Sequence, residues 1–124
     1  MDNNFWFFVA ENVKHMVETK EKRKTWWCVD RRCKVGDKAF LYKRLEGILC
    51  YFEILEINDS QDFCRAYGMQ TGLVKILKIF KEPVTAKLLK STPIVKDEKF
   101  VSRNFHGKSF VIRNEESVKA ILSL

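Results

Sequence analysis

The sequence predicts an α+β domain in which a curved or barrel-like mixed sheet carries short helices at its ends. Hydrophobic residues make up 46% and aromatic residues 13% of the 124 residues, which is enough for a packed core. Short apolar runs typical of strands outnumber the amphipathic segments, and their order does not follow a βα repeat. No linker-like stretch divides the chain, so we expect one domain over residues 1–124.

The chain begins with a strand and a helix. Residues 5–10 form a short, bulky apolar run, FWFFVA, which suits a strand covered on both faces. Residues 12–20 repeat apolar positions at helical spacing, and Asn12 is a good N-cap, so a short amphipathic helix is expected there.

Three strands follow a charged link. Residues 25–29 are β-branched and aromatic, and a basic loop at 31–34 and a Val-Gly-Asp turn separate them from a strand at 38–43. A Glu-Gly turn then leads into a long strand at 48–57, so these last two strands read as a hairpin.

The second half alternates loops and short elements. Residues 58–72 are expected to form a long loop, of the kind that often carries function in compact domains, and residues 73–80 a strand ended by Pro83. A helical turn or two is expected at 84–90. Turn and strand follow at 105–112, and Asn114 caps a terminal helix.

The charge of the chain favours an anionic partner. Lysine and arginine number 23 and aspartate and glutamate 16, so the formal net charge is +7. A basic balance of this size is compatible with nucleic acid, although ordinary solubilising charge would give the same count.

The four cysteines do not form a zinc pattern. Cys28 and Cys33 are five residues apart, without a second pair at matching spacing, and Cys50 lies in an apolar run typical of a core. We therefore expect no metal and no cofactor. No signal peptide or membrane span is evident, so we expect an intracellular (cytoplasmic) protein with reduced thiols.

Two adjacent tryptophans are the most distinctive feature. Trp26 and Trp27 stand between cationic residues, and an indole is flat enough to stack on a nucleobase. In a strand, neighbouring side chains point to opposite faces, so only one of them can enter a given pocket. Parity alone does not choose between them.

Several ordered pieces resemble the EVE domain, a PUA-like family related to the YTH readers of methylated adenine. They are FWFFVA, the Glu-Asn-Val helix start, Trp-Cys-Val at 27–29, Lys-Val-Gly-Asp-Lys at 34–38 before Phe-Leu-Tyr, and the closing Gly-Lys-Ser-Phe-Val-Ile followed by Glu-Glu. The resemblance covers nearly the whole chain and implies a PUA-like pseudobarrel with a pocket for a flipped, modified base.

The resemblance also implies a set of site residues. Trp27 would form one wall of an aromatic cage, the backbone of Cys28 would touch the base edge, and Asn12 or Glu11 would supply a polar contact. Tyr67 and Phe105 are candidates for other walls from position only, and Trp26 stays the alternative to Trp27. Candidate phosphate contacts share a positive charge and a place near these residues: Arg31, Arg32, Lys34, Arg103 and Lys108.

The leading hypothesis is a non-catalytic reader of a modified base, of the methylated cytosine or adenine class, in DNA or RNA by base flipping. His15 and His106 have no nucleophile and acid arranged around them, so no enzyme is expected. By resemblance, such a domain is associated with a restriction or RNA-modification system. The alternatives are a general RNA-binding module without modification preference and a protein-interaction module.

Overall fold

Six strands form one mixed sheet in a computed structural model that describes residues 3–11, 23–58 and 62–124, with only the backbone at 62 and 63. The strands are β1 Phe5–Ala10, β2 Lys24–Asp30, β3 Lys38–Lys43, β4 Gly47–Asn58, β5 Met69–Val84 and β6 Ser109–Ile112. Their order across the sheet is β2-β5-β4-β3-β1-β6. The pair β1–β3 is parallel and the other pairs are antiparallel, so the α+β class with a mixed sheet is confirmed.

The described helices are short: α1 Asp62–Ala66, α2 Ala86–Ser91, α3 Lys99–Ser102 and α4 Glu115–Leu122, with a 3-10 turn at Val95–Asp97. The predicted cap of the last helix is confirmed, because Asn114 Oδ1 accepts a hydrogen bond from Glu116 N at 2.9 Å. The helix predicted at 12–20 lies outside the described residues. Within the described ranges, no helix is long and apolar enough to cross a bilayer.

The segment between β4 and α2 differs from the prediction. The expected loop at 58–72 contains α1 and the first residues of β5, and β5 extends past Pro83 to Val84. The register explains how the strand tolerates the proline. Cys50 pairs with Ile79 and Ile48 pairs with Val84, so the residues between 79 and 84 bulge out of the ladder. A proline there removes no ladder hydrogen bond.

Side chains on the two faces of the sheet form two separate cores. The outer cluster contains the residues that meet α2, α3 and α4, among them Phe7, Phe40, Leu89, Phe100 and Ile121. The inner cluster lies on the opposite face and includes Trp6, Phe8, Val29, Phe52 and Ile76. Strand β1 supplies both clusters in alternation, which confirms that it is covered on both faces.

The two edge strands meet, which closes the sheet around the inner cluster. Ser109 Oγ donates a hydrogen bond to Asp30 Oδ2 at 2.6 Å, joining the end of β2 to the start of β6 across 79 positions of sequence. We call this junction the seam. The inner cluster is thereby enclosed in a pseudobarrel, and α2, α3 and α4 pack outside it.

One end of the pseudobarrel is closed by residues 31–37. The carboxylate of Asp37 is fully buried and accepts from Asn4 N at 2.9 Å, from Trp6 Nε1 at 3.0 Å and from Lys34 N at 3.0 Å. These bonds tie the loop to the start of β1. The other end is the one where β1 finishes at Ala10.

Candidate functional site

Trp27 faces the interior of the pseudobarrel. It is half-buried and packs against the inner cluster, on the same face of β2 as the buried side chains of Thr25 and Val29. Trp26 points to the outside and keeps 47% of its surface exposed. Strand parity alone did not show which indole faces the interior, and the structure shows that it is the indole of Trp27.

A residue without a side chain lies next to Trp27. Trp27 pairs with Gly72 on β5, which pairs with Ile57 on β4, so the three residues form a row across the sheet. Trp27 and Ile57 both pack against the inner cluster. A Cβ on Gly72 would approach the Cγ atoms of Val29 to 3.3 Å, so a larger residue there would require the Val29 side chain to shift.

The backbone of Cys28 is turned toward the free edge of β2. Ile76 N donates to Arg23 O at 3.0 Å, which makes this a hydrogen-bonded pair of the β2–β5 ladder. Hydrogen-bonded and non-hydrogen-bonded pairs alternate, so Trp27 bonds to β5 and the N–H and C=O of Cys28 point away from it. Because β2 is at the edge of the sheet, these groups face the seam.

The side chain of Cys28 is not a free thiol. It forms a disulfide with Cys64 of α1, with 5.4 Å between the two Cα atoms and 36 positions of sequence between them. The expectation of reduced thiols is therefore wrong for this pair. The disulfide can form because α1 packs against β5 and brings Cys64 over the outer face of β2.

The remaining cysteines are buried. Cys33 belongs to the inner cluster under residues 31–37, and Cys50 lies in β4. Burial raises the pKa of the Cys33 thiol far above its ordinary value, and burial raises that of Cys50 to about 12. Neither thiol is a nucleophile at neutral pH.

The seam sets the direction of β2 relative to β1. Trp27 lies three residues before Asp30, on the side where β1 ends, because Ser109 pairs with Phe8 and Lys108 O accepts from Val9 N at 2.8 Å. Residues 31–37 run in the opposite direction, toward the start of β1. The indole of Trp27 therefore lies toward the end of the pseudobarrel that this loop does not close.

The structure separates the candidate cage walls. Tyr67 is 55% exposed and lies outside the pseudobarrel, where Lys108 Nζ donates to its carbonyl at 3.1 Å. Phe105 is buried in the outer cluster, stacked on Tyr42 at 4.9 Å between ring centroids. The prediction that Phe105 shares a pocket with Trp27 is corrected, because the turn after α3 (φ of Phe105 61°) directs its ring to the helix side.

The candidate phosphate contacts are also divided. Lys108 lies beside the seam, and Arg31 is exposed in the loop directly after β2. Arg32 is held by Asp30 through its N, Nε and Nη2 at 2.8–3.1 Å, and its guanidinium lies 5.1 Å from the Trp6 ring centre. A phosphate would have to compete with that carboxylate for Arg32.

Two cations predicted for phosphate lie elsewhere. Lys34 is at the closed end of the pseudobarrel, where its backbone donates to Asp37. Arg103 follows α3 on the helix side of the sheet, two residues before Phe105. The structure does not bring either residue to Trp27, and a phosphate contact by either one stays a prediction.

The predicted polar contact to a base involves Asn12 or Glu11. Asn12 lies outside the described residues. Glu11 is exposed, with its Oε1 3.6 Å from Arg44 Nε. Among the residues that the structure describes, no group of three His, Cys, Asp or Glu side chains could hold a metal ion.

Sequence reasoning missed the residues that shape the site without touching a ligand. Asp30 and Ser109 close the seam, and Cys64 fixes Cys28; nothing in their sequence positions pairs them. Gly72 did carry a signal, because a glycine inside a strand often marks a close approach. The prediction did not use this signal, because residue 72 was assigned to the loop at 58–72.

Comparison with solved structures shows the fold. A Pseudomonas syringae protein superposes with a TM-score of 0.73 at 18% identity, covering 96% of this chain and 97% of the other. A hypothetical protein from Leishmania major gives 0.73 at 16% identity, covering 98% and 94%. The ASCH protein of Zymomonas mobilis gives 0.58 at 13% identity, covering 99% and 96%.

These likenesses identify the architecture. The mixed six-stranded sheet with its short helices is consistent with the pseudobarrel type of fold of the ASCH protein. At sequence identities below 25%, the comparison shows similarity of fold and nothing about function. No protein-family profile matches the sequence, and no curated protein matches it significantly.

Proposed function

We propose that this domain is an EVE-like, non-catalytic reader that binds nucleic acid and accepts one modified base against Trp27. The observation that carries the proposal is the position of that indole: half-buried inside the pseudobarrel, beside Gly72, and toward the end that residues 31–37 leave open. An aromatic face in this place is suited to a flat, uncharged ring.

The neighbouring groups suit the rest of a nucleotide. The Cys28 N–H and C=O face the seam, where they offer one donor and one acceptor to the edge of a base. Lys108 lies beside the seam, and Arg31 follows Asp30 directly, so both supply positive charge for phosphates near the seam. The formal charge of +7 favours an anionic ligand over the whole surface.

Two energy terms favour the binding of a flipped base. Stacking on an aromatic side chain contributes about 1–3 kcal/mol per base. A methyl group buried beside the indole adds about 0.8 kcal/mol, which corresponds to a preference of about fourfold. Extruding the base costs a few kcal/mol from a duplex and least from a single strand, so single-stranded ligands should bind best.

The test uses trinucleotides whose central base is methylated cytosine, methylated adenine or the plain base, titrated against the wild type, Trp27→Ala and Trp26→Ala. We expect one modified trinucleotide to bind more tightly than its plain counterpart. Trp27→Ala should lose at least about tenfold in affinity, as expected for a lost stacking contact. Trp26→Ala, on the outside of the same strand, should bind like the wild type.

Two outcomes would overturn parts of the proposal. Equal affinity for modified and plain trinucleotides would remove the reader function and leave a general nucleic-acid module. A folded Trp27→Ala protein that binds normally would remove the site. A place beside a restriction or RNA-modification system stays a prediction.

A further inference from the structure

The outer face of β2 carries a second group of aromatic side chains, on the side opposite to Trp27. Trp26 is 47% exposed there, and Tyr67 is 55% exposed in the turn after α1. A single exposed aromatic side chain is ordinary, but two on one surface leave a larger apolar area in water, which is typical of an interaction site.

The disulfide places these two aromatic residues on one surface. Trp26 and Cys28 point to the same face of β2, two residues and about 7 Å apart. Cys28 is bonded to Cys64, with 5.4 Å between their Cα atoms. Tyr67 N donates to Cys64 O at 3.1 Å, so Tyr67 lies one turn beyond that cysteine.

The surface is also cationic at the Tyr67 end. The Lys108 ammonium lies 5.6 Å from the centre of the Tyr67 ring and donates to the Tyr67 carbonyl at 3.1 Å. Lys108 immediately precedes Ser109, so this end of the surface adjoins the seam, three residues along β2 from Trp27. Flat rings beside positive charge are the combination that single-stranded nucleic acid requires.

We propose that Trp26 and Tyr67 form a stacking surface for the unpaired nucleotides that flank the base bound at Trp27. The proposal rests on the proposed function for the class of ligand, and it adds single-strandedness and length as determinants of binding. Along the path through the disulfide, the two aromatic residues are less than about 20 Å apart, which about six stacked nucleotides span at 3.4 Å each.

The experiment compares a trinucleotide with a 12-nucleotide single strand that carries the same central base. We expect the 12-mer to bind the wild type at least about tenfold more tightly than the trinucleotide. Trp26→Ala and Tyr67→Ala should each lose about tenfold for the 12-mer and nothing for the trinucleotide. Leu45→Ala is the matched control, because Leu45 is an exposed apolar side chain at the tip of the β3–β4 hairpin.

A blunt duplex of the same 12 positions should show no effect of Trp26→Ala, because paired bases are not available for stacking. The inference is overturned if Trp26→Ala and Tyr67→Ala bind the single-stranded 12-mer like the wild type, which would leave the surface as a protein contact. The two proposals fail separately. If Trp27→Ala binds with normal affinity and Trp26→Ala binds weakly, the site at Trp27 is wrong and the stacking surface stands. If Trp26→Ala binds with normal affinity and Trp27→Ala binds weakly, the stacking surface is wrong and the site at Trp27 stands.

Discussion

Ser109 donates to the carboxylate of Asp30 at 2.6 Å, and this one contact joins the two edge strands of the sheet. Partial burial alone would raise the pKa of Asp30, but hydrogen bonds from Arg32 and Ser109 outweigh burial and lower it to about 2. The same carboxylate also holds Arg32 over Trp6. The seam therefore joins Ser109 to a carboxylate that is ionised at neutral pH.

The seam predicts a pH-dependent contribution to stability. Because the folded-state pKa of Asp30 lies below its ordinary 3.8, the carboxylate stabilises the fold above about pH 4 and loses this effect as the pH falls through about 2. Asp30→Asn should therefore be less stable than the wild type at pH 6, and the difference should shrink between about pH 4 and pH 2. Urea unfolding across that range measures it.

Ser109→Ala is the companion variant for the seam. It should lower the free energy of unfolding by about 1–2 kcal/mol at pH 6, because it removes one hydrogen bond to a charged group. The pKa of Asp30, followed by NMR, should move upward toward its ordinary value. An unchanged pKa would show that the seam contact does not form in solution.

The buried carboxylate of Asp37 predicts a large stability effect. Three N–H groups donate to it, from Asn4, Trp6 and Lys34. Asp37→Asn places an amide N–H₂ against those donors, so we expect a loss of about 3 kcal/mol in thermal or urea unfolding.

Trp6→Phe removes the Nε1 donor and also part of a buried ring of the inner cluster, so its own cost mixes the two effects. The double variant Asp37→Asn with Trp6→Phe isolates the hydrogen bond: it should cost less than the sum of the two single variants. A cost equal to that sum would mean that the bond from Trp6 to Asp37 does not help to hold residues 31–37.

The disulfide leads to predictions for the free energy of unfolding and for the number of reactive thiols. For a closed loop of this length, Cys64→Ser should lower the free energy of unfolding by about 3–4 kcal/mol. A reducing agent should destabilise the wild type by a similar amount and have no effect on Cys64→Ser.

Alkylation followed by mass spectrometry checks the same assignment. The native protein should take up no label, because Cys33 and Cys50 are buried. Unfolding without a reductant should expose two thiols, and unfolding with a reductant should expose four. Four labels without a reductant would contradict the Cys28–Cys64 bond.

Two lysines distinguish the two ends of the pseudobarrel. Lys108 lies beside the seam at the end where β1 finishes, whereas Lys34 lies at the end that residues 31–37 close. Lys108→Ala should reduce the slope of log affinity against log salt by about 0.7 for a single-stranded ligand, as for one lost phosphate contact. Lys34→Ala should leave the slope unchanged. Equal effects would mean that the charge acts only as a diffuse field.

Much of the fold followed from local sequence patterns. The apolar runs at β1, β3 and β4 and the cap at Asn114 are signals that a few neighbouring residues carry. The α1 segment was missed because its polar composition reads as loop, and Pro83 hid the end of β5 because the bulge that accommodates it depends on the pairing with β4.

The site was less predictable because it depends on contacts between distant positions. Parity narrowed the choice to one indole per face, but only the neighbouring strands show that the Trp27 face is the inner one. Phe105 and Cys64 are placed by a left-handed turn and by a 36-residue separation, respectively. Neither feature has a local sequence pattern that would point to Trp27 or Cys28.

The indole N–H signals of the three tryptophans test the central claim most directly. Trp6 Nε1 is bonded to Asp37, Trp26 is on the outside and Trp27 is inside, so their NMR signals should be distinct and assignable from Trp26→Phe and Trp27→Phe variants. Adding a trinucleotide with the preferred methylated base should shift the Trp27 signal and leave those of Trp6 and Trp26 in place. Saturated binding that leaves Trp27 unmoved would contradict a base held against that indole.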